Sequence, residues 1–528
     1  MASAALATPA AAPAAAAPAG EGRKLFAFLC MVFGMFMAIL DIQIVSASLA
    51  EIQAGISASA DEISWVQTAY LIAEVIMIPL SGTLSRVLST RWMFVISAAG
   101  FTFMSFLCAT ASSIEQMIVY RALQGFIGGG MIPTVFASAY TIFRPEQRNV
   151  VTPIIGLVAT LAPTIGPTVG GYLTDLFSWH WLFLVNIVPG IFVTVTTYFL
   201  VDFDEPNLGL FKNFDWTGLA LMAAFLGCLE FVLEEGPIKD WFQDEYILIG
   251  TVVCVGAGLG FFWRMFTAKQ PIVDLFAFTN RNFAAGCAFS FVMGIGLYGL
   301  TYLYPVYLGR VRGYSALQIG ETMFVTGICM FLTAPIVGRL MGKVDPRAMM
   351  AAGFIGFGLG TWWASYITKD WDFWELLIPQ VLRGVSLMVC MVPINNIALG
   401  TLSPERMKNA SGLFNLTRNL GGAVGLALIN TTLNERWDLH LTRLHEKVTW
   451  SRAIANETLQ TMTGAYARLG SDASLAGLRT VSNIVRQQAL VMSFGDVFLI
   501  MTFLFGSLAL LTPFIKRPKL GAASADAH

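Results

Sequence analysis

The run Ala162-Pro-Thr-Ile-Gly-Pro-Thr-Val-Gly-Gly171 sets Pro163, Gly166, Pro167, Gly170 and Gly171 inside a longer stretch that is otherwise apolar. In water so many helix breakers would make a loop. In a bilayer the backbone must satisfy its own hydrogen bonds, so the same stretch reads as a helix, kinked and smooth-faced. Gly166 and Gly170, four residues apart, form a strip against which a neighbouring helix can close. The residues alone leave open whether that strip is a packing groove or a moving joint.

Composition supports the bilayer reading. Of the 528 residues 56% are hydrophobic and 12% charged, with 40 Phe and 13 Trp. A soluble chain carries roughly a quarter charged residues. Apolar runs of about twenty residues, the length a helix needs to cross hydrocarbon, recur from end to end. The expected fold class is therefore an all-α polytopic membrane protein. The net charge of −1 says nothing about partners, because the charges sit in loops, and nucleic-acid binding has no support. The seven cysteines fall inside apolar runs and the four histidines have no ligand spacing, so neither a disulfide framework nor a metal site is expected. No G-x-x-x-x-G-K-[ST] loop is present, which excludes ATP as the energy source.

Fourteen spans are expected, at approximately 25–49, 63–84, 92–110, 115–137, 150–173, 181–201, 216–233, 246–266, 283–304, 317–340, 348–366, 376–400, 411–433 and 490–514. The basic residues test this count. Arg23, Lys24, Arg86, Arg91, Arg144, Arg148, Arg264, Arg339, Lys343, Arg347, Arg406 and Lys408 fall on one side, against Lys239, Arg310, Arg312 and Lys369 in short loops on the other. By the positive-inside rule both termini are cytoplasmic. Residues 1–22, Ala/Pro-rich and without a signal-peptide n-region, read as a disordered cytoplasmic tail, and 515–528 as a second tail. A long outer loop spans 434–489. In it Trp437, Leu441, Leu444 and Val448 share one helical face, and Leu475, Leu478 and Val485 another. They suit either amphipathic helices capping the protein or a docking surface.

The second half of the chain answers the first. Arg121-Ala-Leu-Gln-Gly125 corresponds to Gln380-Val-Leu-Arg-Gly384, Ile132-Pro133 to Val392-Pro393, and Pro145-Glu146-Gln147-Arg148 to Pro404-Glu405-Arg406. This divides the chain into an N-terminal six-helix bundle at 23–201, a linker with two extra helices at 202–282, and a C-terminal six-helix bundle at 283–514. Repeated halves with a site between them are how many secondary transporters are built.

Here the residues resemble a known family: the fourteen-spanner drug:proton antiporters of the major facilitator superfamily, EmrB/QacA type, with the greatest likeness to the EmrB branch. Gly166-Pro-Thr-Val-Gly-Gly171 after Gly156 is similar to the helix-5 antiporter motif, Arg121-x-x-Gln124-Gly125 to the helix-4 motif, and Leu40-Asp41-x-x-Ile44-Val45 to the helix-1 motif. Gly82-Thr-Leu-Ser-Arg86 resembles the loop motif but lacks its acidic residue. The resemblance implies the major facilitator fold and export of hydrophobic drugs across the bacterial inner membrane. It also implies the proton gradient as energy source, no cofactor, and a periplasmic membrane-fusion adaptor and outer-membrane channel as partners.

Ionisable residues at lipid depth are expensive and face the interior or a water-filled cavity. Asp41, Glu74 and Arg121 come out at depths of roughly 12, 16 and 10 Å, so they can share one layer of one cavity. Asp41 reads as a proton-coupling site, or as the structural partner of Arg121. Glu74 reads as a second proton site, a counter-charge for cationic drugs, or a hydrogen-bonded structural carboxyl. Glu230 also lies at depth, but on the inserted seventh span, where a lesser role is expected. The C-terminal half offers Arg383 and Arg418 and no central carboxylate. Gln124, Gln380, Arg383, Met388, Met391, Asn395 and Asn396 are the candidate substrate-cavity residues, Met being tolerant of varied ligands. Three rivals stand beside drug export: an exporter of an anionic metabolite, siderophore or fatty acid, a membrane transferase built on His180 and Asp175, and a non-transporting scaffold working through the 434–488 loop.

Overall fold

A computed structural model describes residues 21–514 apart from Ala60, Asp61, Lys269 and Gly342. Of the expected tails, 1–22 and 515–528, residues 1–20 and 515–528 lie outside the described residues, while Glu21 and Gly22 belong to the first turn of α1 rather than to a disordered tail. In chain order the helices are α1 (Glu21–Ala47), α2 (Leu49–Ile56), α3 (Trp65–Leu88), α4 (Thr90–Ala109), α5 (Ile114–Gly128), α6 (Met131–Ile142), α7 (Pro145–Leu176), α8 (Trp181–Leu184) and α9 (Ile187–Leu200). Then follow α10 (Trp216–Glu235), α11 (Glu245–Thr267), α12 (Arg281–Arg310), α13 (Ala316–Leu340), α14 (Pro346–Ala364), α15 (Phe373–Leu399), α16 (Pro404–Lys447), α17 (Ala453–Ala465) and α18 (Ala473–Leu511). Among the described residues there is no strand.

Local chemistry fixes many of the boundaries. Ser113, Asp215, Asp244, Asn280 and Ser315 each accept a hydrogen bond from the first turn of the helix that follows, satisfying otherwise orphaned amides. The expected fourth span is broken: Gly129-Gly130 separates α5 from α6. The expected sixth is broken as well, between α8 and α9.

Twelve helical segments among the described residues are long and apolar enough to cross a membrane. The other two expected spans, 348–366 and 411–433, fall on α14 and α16, which are helical but lie outside that set. In α16 the reason is visible, since its 44 residues include Asn415, Arg418 and Asn419 and a charged C-terminal part. Phe199, Leu259, Trp263 and Leu510 are each about two-thirds exposed or more, as side chains facing lipid must be.

The repeat is geometric as well as sequential. Gly125 of α5 meets the carbonyl of Tyr70 on α3, and a Cβ on Gly384 of α15 would stand 2.6 Å from the Thr326 carbonyl on α13. α10 and α11 form a hairpin, and α10 leans on both α3 and α16. The expected long loop 434–489 is helical: α16 runs on to Lys447, α17 follows, and α18 returns. Its expected apolar face is only partly covered. Val485 is buried, whereas Leu475 and Leu478 are more than half exposed, because α17 packs on the neighbouring face at Gly477.

Candidate functional site

The glycine at 125 brings α5 onto α3, and one turn earlier the same helix presents Arg121 to the interior. Arg121 is fully buried. Its Nη1 donates to Asp41 Oδ2 at 2.7 Å and to Gln124 Oε1 at 2.7 Å, its Nε to the Val66 carbonyl at 3.2 Å, and its guanidinium lies 4.2 Å from the Tyr70 ring centroid. Asp41 is equally buried, and its Oδ1 accepts from Asn186 Nδ2 at 2.6 Å. Asn186 also reaches Ser105, which donates to the Phe183 carbonyl. One polar network therefore ties α1, α3, α4, α5, α8 and the start of α9, with both Asp41 oxygens engaged.

Beside this network lies a cavity of about 410 Å³ between the two repeats. The first repeat contributes Gln43, Ser46, Gln67, Leu71, Glu74 and Pro167, the second Tyr298, Thr301, Tyr302, Asn419 and Asn430, and α10 contributes Glu230 and Glu234. Tyr298 donates to Asn419 and Tyr302 to Asn430. Glu74 and Glu230 are buried with no hydrogen-bond or ion-pair partner among the described residues.

The cavity stops short of the end where α1 begins. There Lys408 donates to the Ser85 carbonyl at 3.0 Å and pairs with Asp204, which also accepts from the Thr90 amide. A Cβ on Gly82 would stand 2.8 Å from both Asn409 Cα and the Lys408 carbonyl, so α3 and α16 touch there. Tyr140 donates to Asn396 Oδ1 at 3.2 Å, closing α6 on α15. These contacts join the two repeats at that end of the cavity.

α7 runs unbroken through the glycine–proline stretch despite Pro153, Pro163 and Pro167. A Cβ on Gly166 would collide with Gln43, and one on Gly170 would stand 3.0 Å from the Ile44 carbonyl, so α1 lies directly on this strip. On its other side α7 meets α13, where Gly320 faces Thr168 and a Cβ on Gly327 would stand 3.0 Å from Leu161. Gly171 is buried beside Gly170.

A family model for the Major Facilitator Superfamily matches residues 31–426. The chain belongs to that superfamily. It is 44% identical over 492 residues to the colistin resistance protein EmrB of Acinetobacter baumannii, covering 93% of this chain and 96% of that one. It is 30% identical over 511 residues to the multidrug export protein EmrB of Escherichia coli K12, covering 96% and 99%. It is 29% identical to the fatty acid resistance protein FarB of Neisseria gonorrhoeae over 90% of this chain and 93% of that one. Among solved structures it matches the human organic anion transporter MFSD10 (TETRAN), with a TM-score of 0.56 at 13% identity over 91% of this chain and 99% of that one. A bacterial homologue of the human lysosomal transporter Spinster matches with a TM-score of 0.53 at 12% identity, over 94% and 98%. These two likenesses concern the fold. A chain of this superfamily is a multi-pass membrane transporter rather than an enzyme, and His180 is stacked on Trp179 and bonded to Ser178 while Asp175 is exposed.

In this superfamily member the expected site residues are distributed as follows. Asp41 and Arg121 meet, while Glu74 lines the cavity and takes no part in their hydrogen bonds. Gln124 belongs to the Arg121 network. Gln380 is bonded to Thr326 and Met323 in the wall between α15 and α13. Arg383 is buried and donates to Thr301 Oγ1 at 2.5 Å. Met388 and Met391 pack toward Gly156 of α7, Asn395 is wholly buried, and Asn396 takes the Tyr140 bond. None of Gln124, Gln380, Arg383, Met388, Met391, Asn395 and Asn396 lines this cavity. Glu230, expected to lie apart, does line it, because α10 fills the gap between α3 and α16. Sequence reasoning missed Asn186, Asp204, Glu234, Tyr298 and Tyr302. For Glu234 a signal existed, since Glu230 and Glu234 are one helical turn apart at the end of an apolar run.

Proposed function

We propose that this chain is a proton-coupled exporter of hydrophobic compounds that works by alternating access between two six-helix halves. One observation carries the reading: a cavity walled by both repeats, holding unpartnered carboxylates, and stopped at one end by contacts between the repeats. The relatives named for multidrug export and colistin resistance support the substrate class. On this reading the chain crosses a bacterial inner membrane fourteen times with both termini cytoplasmic. Residues 23–201 and 283–514 are the halves, and 202–282 link them. The clamp at Lys408 and Asp204 then closes the cytoplasmic side. A periplasmic adaptor and an outer-membrane channel complete the export path.

Glu74 is the member of the coupling group that lines the cavity in this state. Asp41 must part from Arg121 to take a proton, and that separation loosens α1 from α5. α7, pressed on α1 through Gly166 and Gly170, carries the movement to α13. Reconstituted wild type should then expel a lipophilic substrate down an imposed pH gradient, and Asp41→Asn should not. Full gradient-driven efflux by a folded Asp41→Asn protein would remove the assignment.

The fatty-acid relative favours a second reading, export of an anion. The cavity opposes it, because Arg383 and Arg418 do not line its wall and three carboxylates do.

A further inference from the structure

We infer that a second cavity, at the end of α16 far from the Lys408–Asp204 clamp, binds an anionic amphiphile. Its carboxylate or phosphate-ester head sits at Arg310 and Arg486, and its chain lies against Leu433, Leu490 and Phe494. The site is separate from the central cavity, and the inference stands whether or not the chain exports by proton exchange.

This cavity has a volume of about 610 Å³ and lies where the end of α12 meets the extended parts of α16 and α18. Two helical faces wall it. Asn430, Leu433, Asn434 and Trp437 recur at i, i+3, i+4 and i+7 on α16, and Thr480, Asn483, Ile484 and Gln487 do the same on α18. Helices that zip together do so through apolar faces. These faces carry amides instead, and a gap remains between them. Its edges are tied: Trp437 Nε1 donates to the Arg486 carbonyl at 3.3 Å, and Gln487 Nε2 to the Val311 carbonyl at 2.8 Å. α18 is thereby fixed to both α16 and α12.

The wall is graded in charge and polarity. Arg310 and Arg486 line it from α12 and α18, both exposed, and neither guanidinium has a hydrogen-bond or ion-pair partner among the described residues. No Asp or Glu lines it among the described residues, and Asp496, two residues past Phe494, is held by His440 and Arg436. Leu433 and Phe494, by contrast, are buried. Two unanswered cations beside a buried apolar surface complement a molecule with an anionic head and an apolar chain. A guanidinium grips a carboxylate or phosphate through paired N–H bonds. On the expected spans, Leu433 and Leu490 are the last and first residues of theirs, and Arg310, Trp437 and Arg486 lie beyond. The cavity then straddles the edge of the hydrocarbon, where amphiphiles place their heads and Trp is favoured.

Asn430 belongs to this wall and to that of the central cavity, where its Oδ1 accepts from Tyr302 at 2.6 Å. The two cavities share that residue and differ in charge, with carboxylates in one and arginines in the other. An anion that the central carboxylates repel finds its counter-charges here.

The head could come from a phospholipid or from a free fatty acid, and one experiment tests both sources. Calorimetry on the purified full-length protein in a nonionic detergent at neutral pH compares dihexanoylphosphatidylglycerol with dihexanoylphosphatidylcholine, and octanoate with octanamide. Each pair keeps the chain and changes the net charge of the head. At least one anion should bind about tenfold more tightly than its uncharged or zwitterionic counterpart, and the pair that shows the difference names the source. Arg310→Gln/Arg486→Gln should weaken that anion about tenfold and move its counterpart by less than about threefold. Lys369→Gln removes an exposed positive charge from a short loop outside the cavity and should leave the anion's affinity unchanged. Three results would overturn the inference. They are equal binding within both pairs, wild-type anion binding by the double arginine variant, or an equal loss in Lys369→Gln, which would mean that surface charge alone attracts the anion.

Discussion

At the scale of single residues, Asp41 and Arg121 are bound to each other and to little else that is charged. Removing one partner strands the other inside the protein, so Asp41→Asn should cost about 3–5 kcal/mol. Arg121→Gln should cost a similar amount. The double variant should lose clearly less than the sum, because neither charge is then left alone. A double-mutant cycle on unfolding in detergent reads this directly, and strict additivity would mean that the ion pair does not form. Both residues were legible in the sequence, since a charge at lipid depth is conspicuous and the count along each helix put the two in one layer. Asn186 was not, because a single Asn beside Trp179-His-Trp181 has no periodicity to mark it. Its bond to Asp41 depends on the rotation of α9 about its own axis. Depth was likewise right for Glu74 but could not say which side of α3 it faces.

At the scale of elements, α7 explains why a stretch so rich in glycine and proline remains a helix. The strip has α1 on one side and α13 on the other, so the small residues serve close approach as much as bending. Gly166→Ala should therefore reduce transport turnover at least severalfold, since its new methyl group meets Gln43. Gly156→Ala should be nearly silent, because its Cβ would have 3.5 Å to Met388. Efflux rates normalised to reconstituted protein compare the two, and equal rates would deny the strip its packing role. The motif was legible as a helix with a smooth face. Its partners were not, since nothing in a linear pattern says which helix lies against a glycine. The seventh span shows the opposite limit. Its position in the chain, between the repeats, suggested a peripheral place, yet packing against α3 and α16 brought Glu230 to the cavity.

At the scale of the whole molecule, the acidic residue missing from Gly82-Thr-Leu-Ser-Arg86 has a substitute. Asp204, just after α9, pairs with Lys408 and holds the start of α4, so the closure is built from a residue outside the loop motif. Lys408→Ala should shift the population toward an opening at that end. Spin labels at exposed positions 86 and 406 should report a longer distance in the variant than in wild type, and an unchanged distance would show that the clamp does not hold this state. The same picture makes the carboxylates of the central layer a shared station for ligand and proton. The measurement closest to that claim is proton release on ligand addition, followed with a pH indicator in weakly buffered detergent solution. Wild type should release protons as a lipophilic cation binds, and Asp41→Asn/Glu74→Gln should release almost none. Undiminished release from a folded double variant would contradict the account.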